Sequence, residues 1–471
     1  MRLSPWLLVR FVAHSSLAAL ATLTGAVAQA AAPADGPDHL GRMHLPDPGA
    51  LPAVSTVLDA GHDTQNSSAR HAEEKTRLLR RLDKTHGEAW DTTHPRARLL
   101  DALHAYSRYG ERTRADLARW RALYGNVPVQ QRLVLEAAVG YSHKLDEAEA
   151  LISRNEALCA RIVAAALEYY GVEERELHAH ARAAEKAGRT PDRTSVSQAL
   201  KHYVRDWSVE GRSERDNAFP CIHAVLRELF PDRTGRLVRV LLPGAGLGRL
   251  GHEIAGLGGF EVTNNEWSAY MAVAYRFLEA HPAKESNSLH PFVDGWSHHA
   301  TTENMFRSVS FPDVAVDAGS VVLVEGDFTA VFHAEKASAT RRARGAAAGP
   351  GTVESGETFD TVVTHFFIDT ARNLMAYLDT IYALLRPGGY WVNLGPLLYG
   401  TGPWVQLSLD EVVRVVKAMG FEFVPVPEEC GDLTLEGELA RGRTAVYGFD
   451  DRALTRNAYQ AQTWAARKVT H

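Results

Sequence analysis

The segment VLLPGAGLGRL, residues 240–250, constrains the fold of this chain more than any other stretch. An apolar run from Leu237 to Leu242, interrupted only by Arg239, meets Pro243 and three glycines and then opens into a helical pattern from Arg249. That order reads as a buried strand turning sharply into a helix, the place where open α/β sheets bind nucleotides. Gly244, Gly246 and Gly248 allow the turn and let a ligand lie against bare main chain. Their Gly-x-Gly-x-Gly spacing departs from the dinucleotide fingerprint, which places two residues before its third glycine, so a pyrophosphate cofactor is disfavoured. Taken alone, the loop also fits a tight turn without a ligand.

Further apolar runs repeat the form. Phe260–Thr263, Val321–Glu325, Phe359–His365 and Tyr390–Leu394 read as strands, separated by helices over Arg249–Gly256, Ala269–Ala280 and Thr370–Leu385. Alternation of strand and helix predicts a mostly parallel, doubly wound sheet. Glu266, in NNEWS, lies eighteen positions beyond Gly248, at the expected tip of the second strand. A carboxylate there can accept hydrogen bonds from both ribose hydroxyls of an adenosine. Asp327 and Phe328, in EGDF, follow the next strand and suit the adenine amino group and ring. Each could singly be an ordinary strand-end acid or core aromatic; three such loops in series favour one crevice. FDTVVTHFFID (359–369), a helix and LRPGGYWVNLGP (385–396) then resemble the later half of a class I methyltransferase sheet.

Ahead of the sheet, residues 71–215 carry helical spacing such as Leu99, Leu100, Leu103 and Tyr106, and predict a helical domain; residues 216–450 form the nucleotide-binding domain and 451–471 a C-terminal tail. Residues 1–34 lack acidic side chains and end their alanine-rich run at Ala28-Gln29-Ala30, the form of a cleavable targeting segment, although translation starting at Met43 fits equally. Residues 35–70 read as a disordered linker, and the insert 335–357, EKASATRRARGAAAGPGTVESGE, as a surface loop. The net charge of -6 excludes a basic field of the kind that drives nucleic-acid binding, so a small-molecule or peptide substrate is expected. Three widely spaced cysteines, Cys159, Cys221 and Cys430, argue for a reducing compartment and against a disulfide framework or zinc site.

The ordered blocks YVRDWSVEGRSERD, LLPGAGLGRLGHEIAGLG, NEWS, FPDV, GDF, FFIDTARN, YLDTIYALLRPGG and NLGPLLY, between about Leu99 and about Val446, resemble the carnosine N-methyltransferase family. The resemblance implies a class I, Rossmann-like methyltransferase fold behind a helical N-terminal region. It also implies S-adenosylmethionine as cofactor and methylation of an imidazole nitrogen of the histidine dipeptide carnosine, giving anserine. By position, Arg205, Gly244, Glu266, Asp327 and Phe328 match the family's cofactor contacts. His202 and His365 fall at two further contact positions, where the family typically has glutamine and cysteine. Asp369 matches the substrate-binding carboxylate and is the candidate catalytic residue, with a second, compatible role as cap of a helix starting at Thr370. Tyr399 and Arg443 complete the candidate substrate set.

The departures concern the acceptor. Gly400 stands where the family has a histidine, and Arg441 and Arg443 align with closely spaced tyrosines, which points to a more anionic acceptor or to a contact arriving from elsewhere. Methyl transfer from a sulfonium is an in-line displacement that needs placement and water exclusion, and neither a covalent nucleophile nor a metal. An NAD-type oxidoreductase and a non-catalytic cofactor-binding interaction module are the competing readings. The resemblance implies a cytoplasmic or nuclear protein, with an organelle or the secretory route as the alternative if residues 1–34 are a targeting segment. No nucleic-acid partner and no stable membrane association are expected, and a homodimer is left open.

Overall fold

In a computed structural model, residues 64–83, 92–332, 358–400 and 402–469 are described. The expected targeting segment 1–34 and the insert 335–357 lie outside them, as does most of the expected linker, within which the helix Thr64–Leu82 begins. Among the described residues no helix is long and apolar enough to cross a membrane.

The helices Pro95–Ser107, Tyr109–Gly125, Tyr141–Tyr170, Glu174–Lys186 and Arg193–Trp207 precede the sheet. Asp192 caps the last of these, its carboxylate accepting the Ser195 N–H at 3.1 Å. They share a core with the sheet region: Leu103, Tyr106, Ile162 and Tyr203 pack in one buried cluster with Tyr275 and Phe277 of helix Ala269–Ala280 and with Leu323. From Thr64 onward the chain forms one compact unit.

The strands are β1 (Val238–Pro243), β2 (Phe260–Glu266), β3 (Asn287–Leu289), β4 (Val309–Phe311), β5 (Val321–Glu325), β6 (Phe359–His365), β7 (Leu385–Gly395), β8 (Phe421–Val424), β9 (Asp432–Leu433), β10 (Arg441–Val446) and β11 (Ala458–Lys468). The main sheet runs β5-β2-β1-β6-β7-β11-β10-β9, with β8 also paired to β11, while β3 and β4 form a separate ribbon. The first five strands in that order are parallel; β11 is antiparallel to β7, β8 and β10. This is the expected class I methyltransferase sheet. Its order reverses between β1 and β6, which opens a crevice at the carboxyl ends of those strands.

Three expectations need correction. Residues 451–471 are not a tail, because β11 lies inside the sheet, its Trp464, Ala465 and Ala466 fully buried. Helix 370–385 begins later, at Leu374 with Asn373 as its N-cap, and Asp369 sits in the preceding 3-10 turn Ile368–Thr370 without capping that helix. Cys221, on helix Phe219–Leu229, and Cys430, on the turn after β8, form a disulfide across 209 residues. Sequence distance hid a pairing that the sheet makes local; Cys159 is the free, buried thiol.

Candidate functional site

Gly244 has φ +66°, and a Cβ built on it would stand 2.4 Å from the Phe367 ring. No larger residue fits between the loop after β1 and the loop after β6. Gly246, at φ +58°, faces the tip of helix Arg193–Trp207: its Cβ position is 3.5 Å from Arg205 Nη2 and 3.7 Å from the His202 ring. Gly248 is packed against Asn264 and Tyr275 and caps the helix Arg249–Gly256, a scaffold role.

Glu266 ends β2 beside this loop. Its Oε2 accepts the Gly246 N–H at 2.8 Å and its Oε1 the Ser268 N–H at 2.7 Å. Burial raises its pKa against the pull of these backbone donors. Arg98, from the N-terminal helices, lies over the Trp267 ring at 4.0 Å, donates to the Trp267 carbonyl at 2.7 Å, and feels the charges of both Asp327 and Glu266. Asp327 follows β5, and its Oδ1 accepts from Thr329 and Ala330 N–H at the start of the helical turn 328–332. Phe328 is buried, edge-on to Phe367 at 5.6 Å and to Tyr377 at 5.7 Å, and so braces this wall of the crevice.

On the opposite lip, Arg205 pairs with Asp206 at 2.7 Å and lies over the rings of Tyr447 and Phe449. Burial works to lower the Arg205 pKa, but the Asp206 carboxylate holds it above the ordinary value. His202 binds the Gln198 carbonyl at 2.7 Å and packs on Phe449, and burial lowers its pKa to about 4. His365, at the tip of β6, is lowered to about 3 by burial and the nearby Arg205, and its Nε2 is buried without a hydrogen-bond partner. Both imidazoles are neutral near pH 7.

Asp369 is half-buried just beyond β6, with Oδ1 unpartnered, and burial pushes its pKa up to about 7. Its carbonyl accepts the Gly400 N–H at 3.2 Å, which holds the loop after β7 against it. In that loop Tyr399 donates to the Leu407 carbonyl at 2.9 Å, and Trp404 is 70 % exposed. Arg443 lies on β10. Its guanidinium donates to the Glu429 carbonyl at 3.0 Å, and Arg441 donates to the Val426 and Gly431 carbonyls, so both arginines hold the turn that carries Cys430.

Glu266, Asp327, Arg205, His202, His365 and Asp369 thus surround the glycine loop at the strand tips. A buried carboxylate on one side, a guanidinium on the other and two unpartnered polar atoms suit an adenosyl amino acid with a neutral acceptor beside it. Sequence reasoning missed Arg98, Asp206, Trp267, Tyr447 and Phe449. Asp206 and Trp267 stood inside the quoted blocks YVRDW and NEWS, whereas Tyr447 and Phe449 had no local signal.

A family model described as carnosine N-methyltransferase matches residues 184–470. A carnosine N-methyltransferase of Schizosaccharomyces pombe is 36% identical over 251 residues, 48% of this chain and 62% of that protein. One from Rattus norvegicus is 27% identical over 432 residues, 89% of this chain and 98% of that protein. Among solved structures, a magnesium protoporphyrin IX methyltransferase from Synechocystis is similar over 58% of this chain and 97% of its own, at 11% identity and a TM-score of 0.31, too slight for argument. With the model match extending over the glycine loop, Glu266, Asp327 and Asp369, this chain belongs to the carnosine N-methyltransferase family.

Proposed function

We propose that this protein is an S-adenosylmethionine-dependent N-methyltransferase acting on an imidazole nitrogen of carnosine or of a related histidine-containing dipeptide. The observation that carries the reading is Asp369, a half-buried carboxylate with an unpartnered oxygen, on the loop whose Phe367 packs against Gly244. Family membership supports the same acceptor class.

When bound, the cofactor supplies an electrophilic methyl group on a sulfonium. Glu266 would accept the ribose hydroxyls, Arg205 would hold the amino-acid carboxylate, and the wall braced by Phe328 and Phe367 would flank the adenine. Ionised Asp369 would accept the N–H of the acceptor imidazole, fix its tautomer and leave the other nitrogen with a free lone pair. As positive charge arrives on the ring, the same carboxylate stabilises it and is poised to take the remaining ring proton. His365, neutral at working pH, adds a polar contact without a competing charge. Arg441 and Arg443 donate to backbone carbonyls and keep their charge, so a more anionic acceptor stays the alternative that the methylation assay separates.

Incubation with S-adenosylmethionine and a panel of histidine dipeptides, followed by mass spectrometry, tests the proposal. One added methyl on the imidazole of carnosine or a relative is expected. Cofactor binding with no methylated product across the panel would overturn it.

A further inference from the structure

Arg215 of the SERD block and Asp313 of the FPDV block meet in the interior, behind the crevice. Asp313, of FPDV, is buried and bridges two arginines: Arg215 Nη2 donates to its Oδ2 at 2.7 Å and Arg249 Nη1 to its Oδ1 at 2.5 Å. Arg215 comes from SERD, and Arg249 is the first residue of the helix that leaves the glycine loop.

These three residues face the carboxyl end of helix Arg193–Trp207, where backbone carbonyls have no intrahelical partners and the helix dipole is negative. Each exposed carbonyl is taken. Arg205 O accepts from Arg215 at 2.6 Å, Asp206 O from Arg249 at 3.4 Å, Trp207 O from the Asp313 N–H at 2.8 Å, and Ser208 O from Arg215 at 2.9 Å. The indole N–H of Trp207 then donates to the carbonyl of Leu247, inside the glycine loop, at 2.8 Å. The helix end that presents His202 and Arg205 is therefore joined to the loop they face.

We infer that Asp313 is a positioning residue for cofactor binding: by holding Arg215 and Arg249 against the end of helix Arg193–Trp207, it sets the guanidinium of Arg205 opposite Gly246. The inference rests on the reading of Arg205 as the cofactor's carboxylate clamp. Without the Asp313 charge, two buried guanidiniums repel each other and the carbonyl cap loosens, which displaces Arg205 while leaving Glu266 and Asp369 in place.

The test is calorimetric titration of S-adenosylhomocysteine into the full-length protein, its Asp313→Asn and Arg205→Ala variants, and the double variant. Wild-type binding that Arg205→Ala weakens upholds the clamp itself; no effect of Arg205→Ala would sink that reading and this inference with it. Asp313→Asn is expected to weaken binding by about tenfold or more, in line with a charged hydrogen bond, and to add nothing in the Arg205→Ala background. Asp313→Asn binding as wild type, or weakening both backgrounds equally, overturns the inference. If Asp313→Asn fails to fold, as a change in thermal midpoint would report, Arg215→Lys keeps the charge but cannot bond the two carbonyls and Asp313 at once, since these use different nitrogens of the guanidinium; the same loss of affinity, confined to the Arg205 background, is expected from it.

Discussion

Glu266 grips the loop beside it: its Oε2 takes the backbone N–H of Gly246 at 2.8 Å, so the carboxylate is oriented before any ligand arrives. Glu266→Gln keeps the shape and removes the charge. Loss of charged hydrogen bonds worth about 1.5–3 kcal/mol should raise the dissociation constant for S-adenosylhomocysteine by at least about tenfold, with turnover at saturating cofactor little changed. Calorimetry beside initial rates would show this, and unaltered affinity would remove Glu266 from the cofactor site.

Asp369→Asn should separate chemistry from binding in the opposite sense. Turnover is expected to fall by about 10²-fold or more, with cofactor affinity within a few-fold of wild type. Since burial raises the Asp369 pKa to about 7, wild-type activity should climb as pH rises through 7, and the variant should lack that limb. Equal losses of turnover and affinity would count against the assignment.

The same carboxylate makes a prediction about stability. A folded-state pKa of about 7 lies above the unfolded value near 3.8, so the folded chain holds this proton more tightly and the benefit disappears as pH rises through 7. Asp369→Asn should therefore unfold at a higher temperature than wild type at pH 8 and show little such advantage at pH 4. His202 and His365 act with the reverse sign: depressed to about 4 and 3, they resist protonation in the folded state, and stability should drop as pH falls below about 6.5. Replacing them with glutamine and cysteine should flatten that acid loss, as thermal melts between pH 7 and pH 4 would record.

The Cys221–Cys430 bridge closes a span of 209 residues. Chain-entropy arguments put its stabilisation at up to about 5 kcal/mol, so a reductant or Cys430→Ser should lower the thermal midpoint by several degrees. Peptide mapping without reduction should recover the linked pair; two free thiols there would refute it.

Local patterns carried much of the architecture. The runs read as Leu237–Leu242, Phe260–Thr263, Val321–Glu325 and Phe359–His365 carry short apolar cores bounded by glycine or charge, so these four strands could be read directly, although the second runs on to Glu266 through Asn264 and Asn265. Asp369 was found by resemblance but misjudged as a cap, because Ala371 and Arg372 extend the loop before Asn373 starts the helix. β11, AYQAQTWAARK, mixes polar and apolar residues and looks like loop, yet cross-strand pairing on both sides overrides its composition. Arg443 was placed by alignment alone, and its partner, the Glu429 carbonyl, belongs to a backbone turn that no side-chain pattern announces.

The position of β11 has a bearing on biosynthesis. A nascent chain leaves the ribosome amino end first, so β7 must present an open edge until residues 458–468 emerge and insert between it and β10. Tyr447 and Phe449, which lie against Arg205, hang from the connection between β10 and β11 and cannot be seated before that insertion. The protein's newborn form would thus be blind to its ligand, and a nonsense codon between residues 396 and 457, which leaves β7 made and β11 missing, should give an aggregating remnant instead of a weakened enzyme.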